Sequence, residues 1–305
     1  MENICERLTF VLFPVALMAL DAFQQKVPDV ATLKRGSAAH LHAMIECLRS
    51  GFADGRKFIS DPAFMSVTAE DLLNGEDHRK RRLDRINLSR VQEYSESSAP
   101  FASSETVSFQ VVDADGNAIS MVNSTYEGFG SGIVPSGTGM SLQNRGSNFS
   151  LDASSSNRAD GAKRPYHTII PGMVLNAKDD SLHASFTVMG GFMQPQGHFQ
   201  VLHNLLDFGD SVQQALDRPR FCILAGQKAS ENNLQVGLEE GLVDETVERE
   251  LKERFGQQVR IFEGFDRALF GRGQIIQVDH LDGGQKRVLQ GGSDARADGC
   301  AIPGV

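Results

Sequence analysis

The chain has 305 residues, enough for one large domain or two small ones with a sizeable core. Its 40% apolar and 23% charged residues are typical of folded globular proteins and exclude the disordered and fibrous classes. A net charge of −9 and the lack of Trp argue against a nucleic-acid partner, and the four dispersed cysteines fit neither a disulfide framework nor a zinc site. We therefore expect no metal and no cofactor.

Residues 1–92 are predicted to be mainly helical. The apolar run from Leu8 to Leu20 is interpreted as a buried helix, because its flank lacks a positive bias and no signal-peptide cleavage site follows. The run is too short to span a bilayer, so we expect no membrane association and a cytoplasmic location. The stretch from Ser37 to Phe58 has apolar residues at helical spacing, with Ser37 as N-cap. The densely charged stretch from Glu76 to Arg90 is interpreted as a solvated helical face.

The pattern changes after residues 93–105, a Ser-rich stretch that is predicted to be a flexible linker. Strand-forming residues from Thr106 to Asp113 and from Ala118 to Tyr126 flank a turn signal at 115–117, which predicts a β-hairpin. Further strands are predicted at 168–176, 184–189, 259–262, 273–278 and 287–290, and further helices at 199–208, 211–216 and 245–255. This order of elements indicates α+β layers rather than a parallel βαβ sheet.

Thr106 stands at the head of the first strand after the linker. A hydroxyl is a weak nucleophile unless a base lies beside it, and a cut between Glu105 and Thr106 would free an α-amine that can act as this base. The linker offers the accessible chain that such a cut needs. On its own the position also fits a threonine that only favours the strand.

Three other stretches carry groups that suit the same chemistry. The hydroxyls of 123–126 lie across the hairpin from Thr106 and can hydrogen-bond to a nucleophile, although turn chemistry explains them as well. Gly190 and Gly191 follow a strand and precede a helix, where backbone N–H groups can face an oxyanion; a plain turn is the alternative. His167 can position a substrate or transfer a proton, or it is a structural histidine.

Taken together, these stretches resemble the γ-glutamyltransferase family of N-terminal nucleophile hydrolases. Residues 106–118 match the family segment T-x-x-x-x-V-V-D-x-D-G-N-A, and residues 129–144 match F-G-S-G-I-V-P-x-G-T-G-x-x-L-x-N. Further matches are KRP at 163–165, the glycine pair, LLDFG at 205–209, residues 215–221 and the terminal GGSDARADG. The stretches MGGFMQPQGH and KRPYHTIIP are most similar to the bacterial-type branch that includes proteins akin to cephalosporin acylases.

The resemblance implies a four-layer αββα sandwich that is incomplete at its N-terminal side. Residues 1–92 would be the C-terminal helical part of the family's large subunit, 93–105 the linker with the cleavage site, and 106–305 the small-subunit catalytic region. Because the family's large subunit begins far upstream, one sheet is expected to expose apolar surface. The expected macromolecular partner is a separate large-subunit chain or a second copy of this chain.

The resemblance also implies a proenzyme that cuts itself. Thr106 Oγ1 would attack the Glu105 carbonyl, and the released Thr106 would accept the γ-glutamyl group of an amide such as glutathione. Water or an amino acid would take the group from there. Gly190 and Gly191 would donate hydrogen bonds to the oxyanion, and Ser124 would contact the nucleophile.

The substrate-binding positions that the resemblance implies are occupied by Tyr126, Asn144, Arg145, Asn148, His167 and Thr168. Arg145 and Asn148 stand where transferase members hold Gln and Asp for the glutamyl α-amino group, and an arginine repels an ammonium. Residues 107–108 replace a Thr-His pair, and residues 167–168 replace paired serines. Two alternatives therefore stay open, an acylase or amidase for a non-glutamyl amide and an inactive subunit or scaffold.

Overall fold

The computed structural model describes residues 8–11, 14–92, 104–224, 235–281 and 286–304. The helices are α1 (Pro14–Lys26), α2 (Ala38–Phe58), α3 (Ala69–Asn74), α4 (Glu76–Arg85), α5 (Met193–Leu206), α6 (Val212–Asp217) and α7 (Glu245–Glu253). The strands are β1 (Leu8–Val11), β2 (Ser104–Val112), β3 (Ala118–Glu127), β4 (Gly172–Asn176), β5 (Leu182–Met189), β6 (Phe221–Ile223), β7 (Gln235–Glu239), β8 (Gln258–Phe262), β9 (Arg272–Leu281) and β10 (Lys286–Ser293). Among these elements, no helix combines the length and hydropathy that crossing a bilayer requires.

A five-stranded antiparallel sheet with the order β1-β4-β5-β9-β10 forms the centre of the molecule. Its strand β5 is buried on both faces, which explains why the side chains from Ala184 to Met189 are all buried. Phe186 and Val188 belong to an apolar core shared with α5 and α6. Ser185 and Thr187 alternate with them and hydrogen-bond to the β2–β3 hairpin on the other face. Helix, sheet and hairpin are therefore stacked as successive layers, as the α+β sandwich requires.

The β2–β3 hairpin has polar side chains on the face toward the central sheet and apolar ones on the opposite face. Gln110 Nε2 donates to Thr187 Oγ1 at 3.1 Å, and the Ser120 and Thr187 hydroxyls are also 3.1 Å apart. The outer face carries side chains that are 46–64% exposed, namely Val107, Phe109, Val111, Ile119 and Met121. Since a solvent-facing strand is normally polar, this face has the composition of one that lies inside a larger sandwich.

The first 92 residues form most of a second core, centred on α1 and α2. Ser37 caps α2 as the sequence predicts, its Oγ accepting from the His40 N–H. The same core includes Phe199 of α5 and Leu251 of α7. A separate three-stranded sheet, β6-β7-β8, also borders this core, and its β7–β8 pair is parallel.

The apolar run from Leu8 to Leu20 is not the single helix that the sequence predicts. Residues 8–11 form β1, which pairs with β4, and α1 begins at Pro14. Proline lacks an N–H and fits the first turn of a helix but not its interior. The run therefore divides at Pro14, and its first part adds an edge strand to the central sheet.

Two further predicted elements have different limits in the structure. The stretch from Glu76 to Arg90 is helical only as far as Arg85, where α4 ends. It is not only a solvated face, because Arg82 is fully buried and donates to Asp54 at 3.1 Å. The helix predicted from Phe199 begins earlier, at residue 193. Of the linker predicted at 93–105, residues 93–103 lie outside the described residues, and Ser104 and Glu105 belong to β2.

Candidate active site

Thr106 lies where the ladder between β2 and β3 changes register. Glu105 pairs with Tyr126 but Thr106 pairs with Ser124, which leaves Thr125 as an extra residue on β3. This is a β-bulge, a device that re-aims side chains and is frequent beside active sites. The Glu105–Thr106 bond predicted to be cut therefore falls at the irregularity. The Thr106 side chain itself is only 3% exposed.

The Ser124 hydroxyl joins the neighbouring groups of this site. Its Oγ accepts from Thr106 Oγ1 at 3.0 Å, from the Tyr126 backbone N–H at 3.0 Å and from Arg145 Nη2 at 3.1 Å. Three donors therefore converge on one oxygen, and that oxygen links the candidate nucleophile to a guanidinium group.

Arg145 lies at the centre of this network. Its Nη1 donates to Thr168 Oγ1 at 3.1 Å, and its guanidinium carbon is 4.9 Å from the centre of the Tyr126 ring. Tyr126 in turn donates from its phenol to Asn148 Oδ1 at 2.8 Å. Burial lowers the pKa of Arg145, which is 5% exposed. Six of the residues predicted from the sequence thus form one connected cluster.

The backbone of Tyr126 is held in an unusual conformation. Its φ is +78°, in the left-handed region that residues other than glycine rarely adopt. Such a conformation costs about 1–3 kcal/mol and persists only where surrounding contacts enforce it. Here the contacts are the N–H bond to Ser124, the phenol bond to Asn148 and the packing on Arg145. These contacts hold the Tyr126 ring over the Arg145 guanidinium.

The remaining predicted residues lie at the edge of this cluster or beyond it. Asn144 donates from its amide to the Glu127 carboxylate at 2.6 Å, and His167 is exposed. Gly190 and Gly191 form the turn between β5 and α5, with φ of +143° and +58°. A Cβ on Gly190 would lie 3.1 Å from the backbone of Gly271. The contribution of this turn to an oxyanion site stays a prediction, and the Glu105 side chain lies outside the described part of the chain.

Two residues that sequence analysis did not single out support the cluster. Asn157 donates from Nδ2 to the Asn148 carbonyl at 2.7 Å and accepts from the Tyr166 N–H at 2.8 Å, so it holds two site loops together. Burial raises the pKa of Tyr126, and the positive charges of Arg145 and Arg56 oppose this rise. Arg56 lies on α2, far away in sequence, and no local pattern connects it with the hairpin.

The profile of the Gamma-glutamyltranspeptidase family matches residues 8–304. The chain belongs to this family. It is 33% identical over 274 residues to the glutathione hydrolase-like YwrD proenzyme of Bacillus subtilis, a match that covers 90% of this chain and 49% of that protein. It is 30% identical over 264 residues to the oxamate amidohydrolase proenzyme of Klebsiella pneumoniae, covering 87% and 47% respectively.

Among solved structures, the cephalosporin acylase from Bacillus halodurans aligns with a TM-score of 0.77 at 35% identity. That alignment covers 98% of this chain and 52% of the acylase chain. The γ-glutamyltranspeptidase resemblance and the N-terminal nucleophile hydrolase fold predicted from the sequence are thereby confirmed. The chain spans about half the length of the relatives it matches.

Proposed function

We propose that this chain acts as an autoprocessed γ-glutamyltranspeptidase-like enzyme that opens an amide bond through an acyl ester on Thr106. The observation that carries the proposal is the buried Thr106 hydroxyl, hydrogen-bonded to Ser124 at the β-bulge that contains the Glu105–Thr106 bond. A γ-glutamyl amide such as glutathione is the first candidate substrate, with water or an amino acid as acceptor.

Processing and catalysis use the same hydroxyl. In processing, Thr106 Oγ1 attacks the Glu105 carbonyl carbon, the C–N bond breaks, and the resulting ester is hydrolysed to leave a Glu105 carboxylate and a free Thr106 amine. In catalysis, this amine takes the hydroxyl proton while Oγ1 attacks the substrate carbonyl, and it returns the proton to the leaving amine. Water or an acceptor amine then releases the acyl group and restores the hydroxyl.

Replacement of Thr106 by Ala tests the proposal because it removes the hydroxyl but keeps the strand. After incubation, intact-mass measurement of the wild type is expected to give fragments 1–105 and 106–305, whereas the Thr106→Ala variant stays one chain without amidase activity. Thr138→Ala, in an exposed loop, is the matched control and should be processed normally. An active, uncut wild type or a Thr106→Ala variant that is still cut would contradict the proposal.

An acylase or amidase for a non-glutamyl amide is the second candidate. Arg145 favours it, because this residue occupies the position where a glutamyl α-ammonium would be held and has the same charge. Comparing the hydrolysis of γ-glutamyl and glutaryl anilides separates the two candidates, since these substrates differ only in the α-amino group. A preference for the glutaryl anilide would favour the acylase. The cytoplasmic location expected from the sequence stays a prediction.

We also propose that the apolar outer face of the β2–β3 hairpin packs against polypeptide equivalent to the other half of the relatives. The support is that these relatives are about twice as long as the matched part, while this face exposes five large apolar side chains.

Co-expression with the remaining half of the Bacillus subtilis relative tests this packing. Co-purification is expected, and a Phe109→Ser variant should weaken it at least about tenfold, by loss of buried apolar area. The control is Phe265→Ser, since Phe265 is fully exposed outside the hairpin. Equal recovery of both variants would contradict the packing.

A further inference from the structure

We propose that Arg145 binds the carboxylate of the substrate acyl group, so that the preferred substrate is a monoamide of a short dicarboxylic acid without an α-amine. This inference rests on the proposed nucleophile Thr106 and chooses the second candidate substrate class, a non-glutamyl amide, over the γ-glutamyl amide. It goes beyond the proposed function because it names the acyl group and the residue that recognises it.

The first support is that Arg145 has no carboxylate partner among the described residues. A guanidinium has five N–H donors, and the described side chains offer acceptors to two of them, both neutral hydroxyls. No described carboxylate lies within 4.0 Å of Arg145. The other buried arginines each contact one: Arg49 with Glu46 at 2.9 Å, Arg82 with Asp54 at 3.1 Å and Arg220 with Asp294 at 2.7 Å. Because a buried cation is stable only when it is compensated, Arg145 is prepared for an anion from outside the described structure.

The second support is the position of the guanidinium relative to the nucleophile. Ser124 Oγ lies 3.1 Å from Arg145 Nη2 and 3.0 Å from Thr106 Oγ1, so Nη2 and the hydroxyl oxygen are at most about 6 Å apart. An acyl group whose carbonyl meets Thr106 can therefore place a terminal carboxylate on Arg145 when only a few carbons separate the two. Longer acyl chains would pass beyond the guanidinium.

The third support is that the guanidinium is already oriented. Ser124 and Thr168 each fix one terminal nitrogen, and the guanidinium carbon lies over the Tyr126 ring. A fixed planar fork loses little conformational freedom when it binds a carboxylate. Glu127 is the acidic neighbour of Tyr126, but its carboxylate accepts from Asn144 at 2.6 Å instead of pairing with Arg145.

The test measures kcat/KM of the processed full chain on two p-nitroanilides of equal length, glutaryl, with a terminal carboxylate, and pentanoyl, without one. The wild type is expected to favour the glutaryl substrate at least about tenfold. Arg145→Gln should bring the glutaryl-to-pentanoyl ratio close to 1, a loss of at least about tenfold, through a higher KM for the glutaryl substrate, since hydrogen bonds to charged groups are the strong ones. Arg145→Lys should keep part of the preference, and Arg249→Gln, an exposed residue of α7, should keep all of it.

Calorimetric binding of glutaramate and pentanamide separates failure of this inference from failure of the proposed function. Binding of glutaramate that is lost in Arg145→Gln, without hydrolysis of any anilide, would uphold the inference and refute the proposed function. Hydrolysis with the same glutaryl preference in wild type and Arg145→Gln would refute the inference alone. An Arg145→Gln variant that slows both anilides equally would also refute it, because that is the result of a merely structural role. If Arg145→Gln does not fold, the glutaryl-to-pentanoyl ratio of kcat/KM is compared between Arg145→Lys and the wild type instead. An unchanged ratio would then refute the inference.

Discussion

At the scale of single residues, the site depends on one small hydroxyl. Ser124 accepts from the candidate nucleophile, from a strained backbone N–H and from a buried cation. Thr106, Tyr126 and Arg145 are all buried. A buried donor that loses its acceptor keeps its desolvation penalty. Ser124 therefore determines both the local stability and the direction of the Thr106 hydroxyl.

Replacing Ser124 by Ala should have two measurable effects. The free energy of unfolding is expected to fall by about 1–3 kcal/mol in urea titrations, since buried donors lose their acceptor. Cleavage at the Glu105–Thr106 bond, followed by intact mass, should also slow. Ser124→Thr retains a hydroxyl and is the matched control, expected to be close to wild type in both measurements. A Ser124→Ala variant with unchanged stability and cleavage would contradict this account.

The part of the site that sequence could reveal is the part that the hairpin determines. A turn signal between two strand patterns fixes which residues face each other, so Thr106 and Ser124 could be placed together before the structure was known. Arg56 and Asn157 could not be found in this way. Asn157 contacts the site from a loop, and Arg56 acts on Tyr126 through its charge from a distant helix; both effects depend on tertiary packing that no local sequence period encodes.

At the scale of elements, α5 carries two buried histidines with different surroundings. His203 Nε2 lies 2.9 Å from His40 Nε2 of α2, whereas neither ring nitrogen of His198 has a hydrogen-bond partner among the described residues. Burial lowers the pKa of His198 to about 3, and burial together with the charge of His203 lowers that of His40 to about 3. The His198 and His40 rings are therefore neutral in the folded protein near neutral pH.

These histidines predict a loss of stability on acidification. The pKa of His40 and His198 is about 3 in the folded protein and takes its ordinary value of 6.5 in the unfolded chain, so between these values the unfolded chain binds more protons. The contribution is complete above pH 6.5 and is lost as the pH falls toward 3, by about 2 kcal/mol per histidine at pH 5.

Urea titrations at pH 7.5 and pH 5 measure this loss. His198→Leu should make stability less dependent on pH, whereas His280→Gln, on the exposed side of β9, should leave the dependence unchanged. If His198→Leu and the wild type lost the same stability between the two pH values, His198 would not be responsible.

The predicted start of α5, Phe199, lies after the observed start, Met193, for a physical reason. Pro195 and Gly197 disfavour a helix, yet the helix begins at Met193. Proline is tolerated in the first turn, and a Cβ on Gly197 would lie 2.5 Å from Val188 Cγ1 of β5. This glycine is thus required for packing on the sheet, a need that local propensity does not register. By contrast α2, with a cap and regular apolar spacing, was predicted almost to its ends.

At the scale of the whole molecule, the C-terminal GGSDARADG stretch ties three parts of the chain together. Asp294 accepts from Arg220 Nη2 at 2.7 Å, from the Gly273 N–H of β9 at 2.9 Å and from Arg296 Nη1 at 3.0 Å. Arg296 also donates to Glu239 of β7. Asp294 and Arg220 are buried, so the end of the chain is connected to both the central and the three-stranded sheet through charged hydrogen bonds.

Asp294→Asn should destabilise the fold strongly, because it leaves the Arg220 charge buried without its carboxylate. A loss of about 3–5 kcal/mol in the free energy of unfolding is expected from breaking a buried pair on one side. Asp298→Asn lies in the same stretch but is exposed, and should have little effect. Similar urea midpoints for the two variants would contradict a structural role for this stretch.

The overall architecture followed from motif resemblance more than from periodicity. Composition and strand patterns indicated α+β, but the number of layers came only with the family motifs. The sheet β6-β7-β8 was not predicted as a unit, because β6 has three residues and β7–β8 pair in parallel across a helix. Strand pairing over such sequence distances depends on tertiary packing, and short stretches of sequence contain little information about it.

The bulge beside Thr106 has a consequence for the product of a cut. Two ladder pairs, those of Ser104 and Glu105, precede the register shift, and seven pairs from Thr106 to Val112 follow it. Scission at this joint would detach the short upstream end and leave the downstream ladder whole. The new N-terminus at Thr106 would remain in β2, with its amine and hydroxyl held at the position where the substrate carbonyl binds.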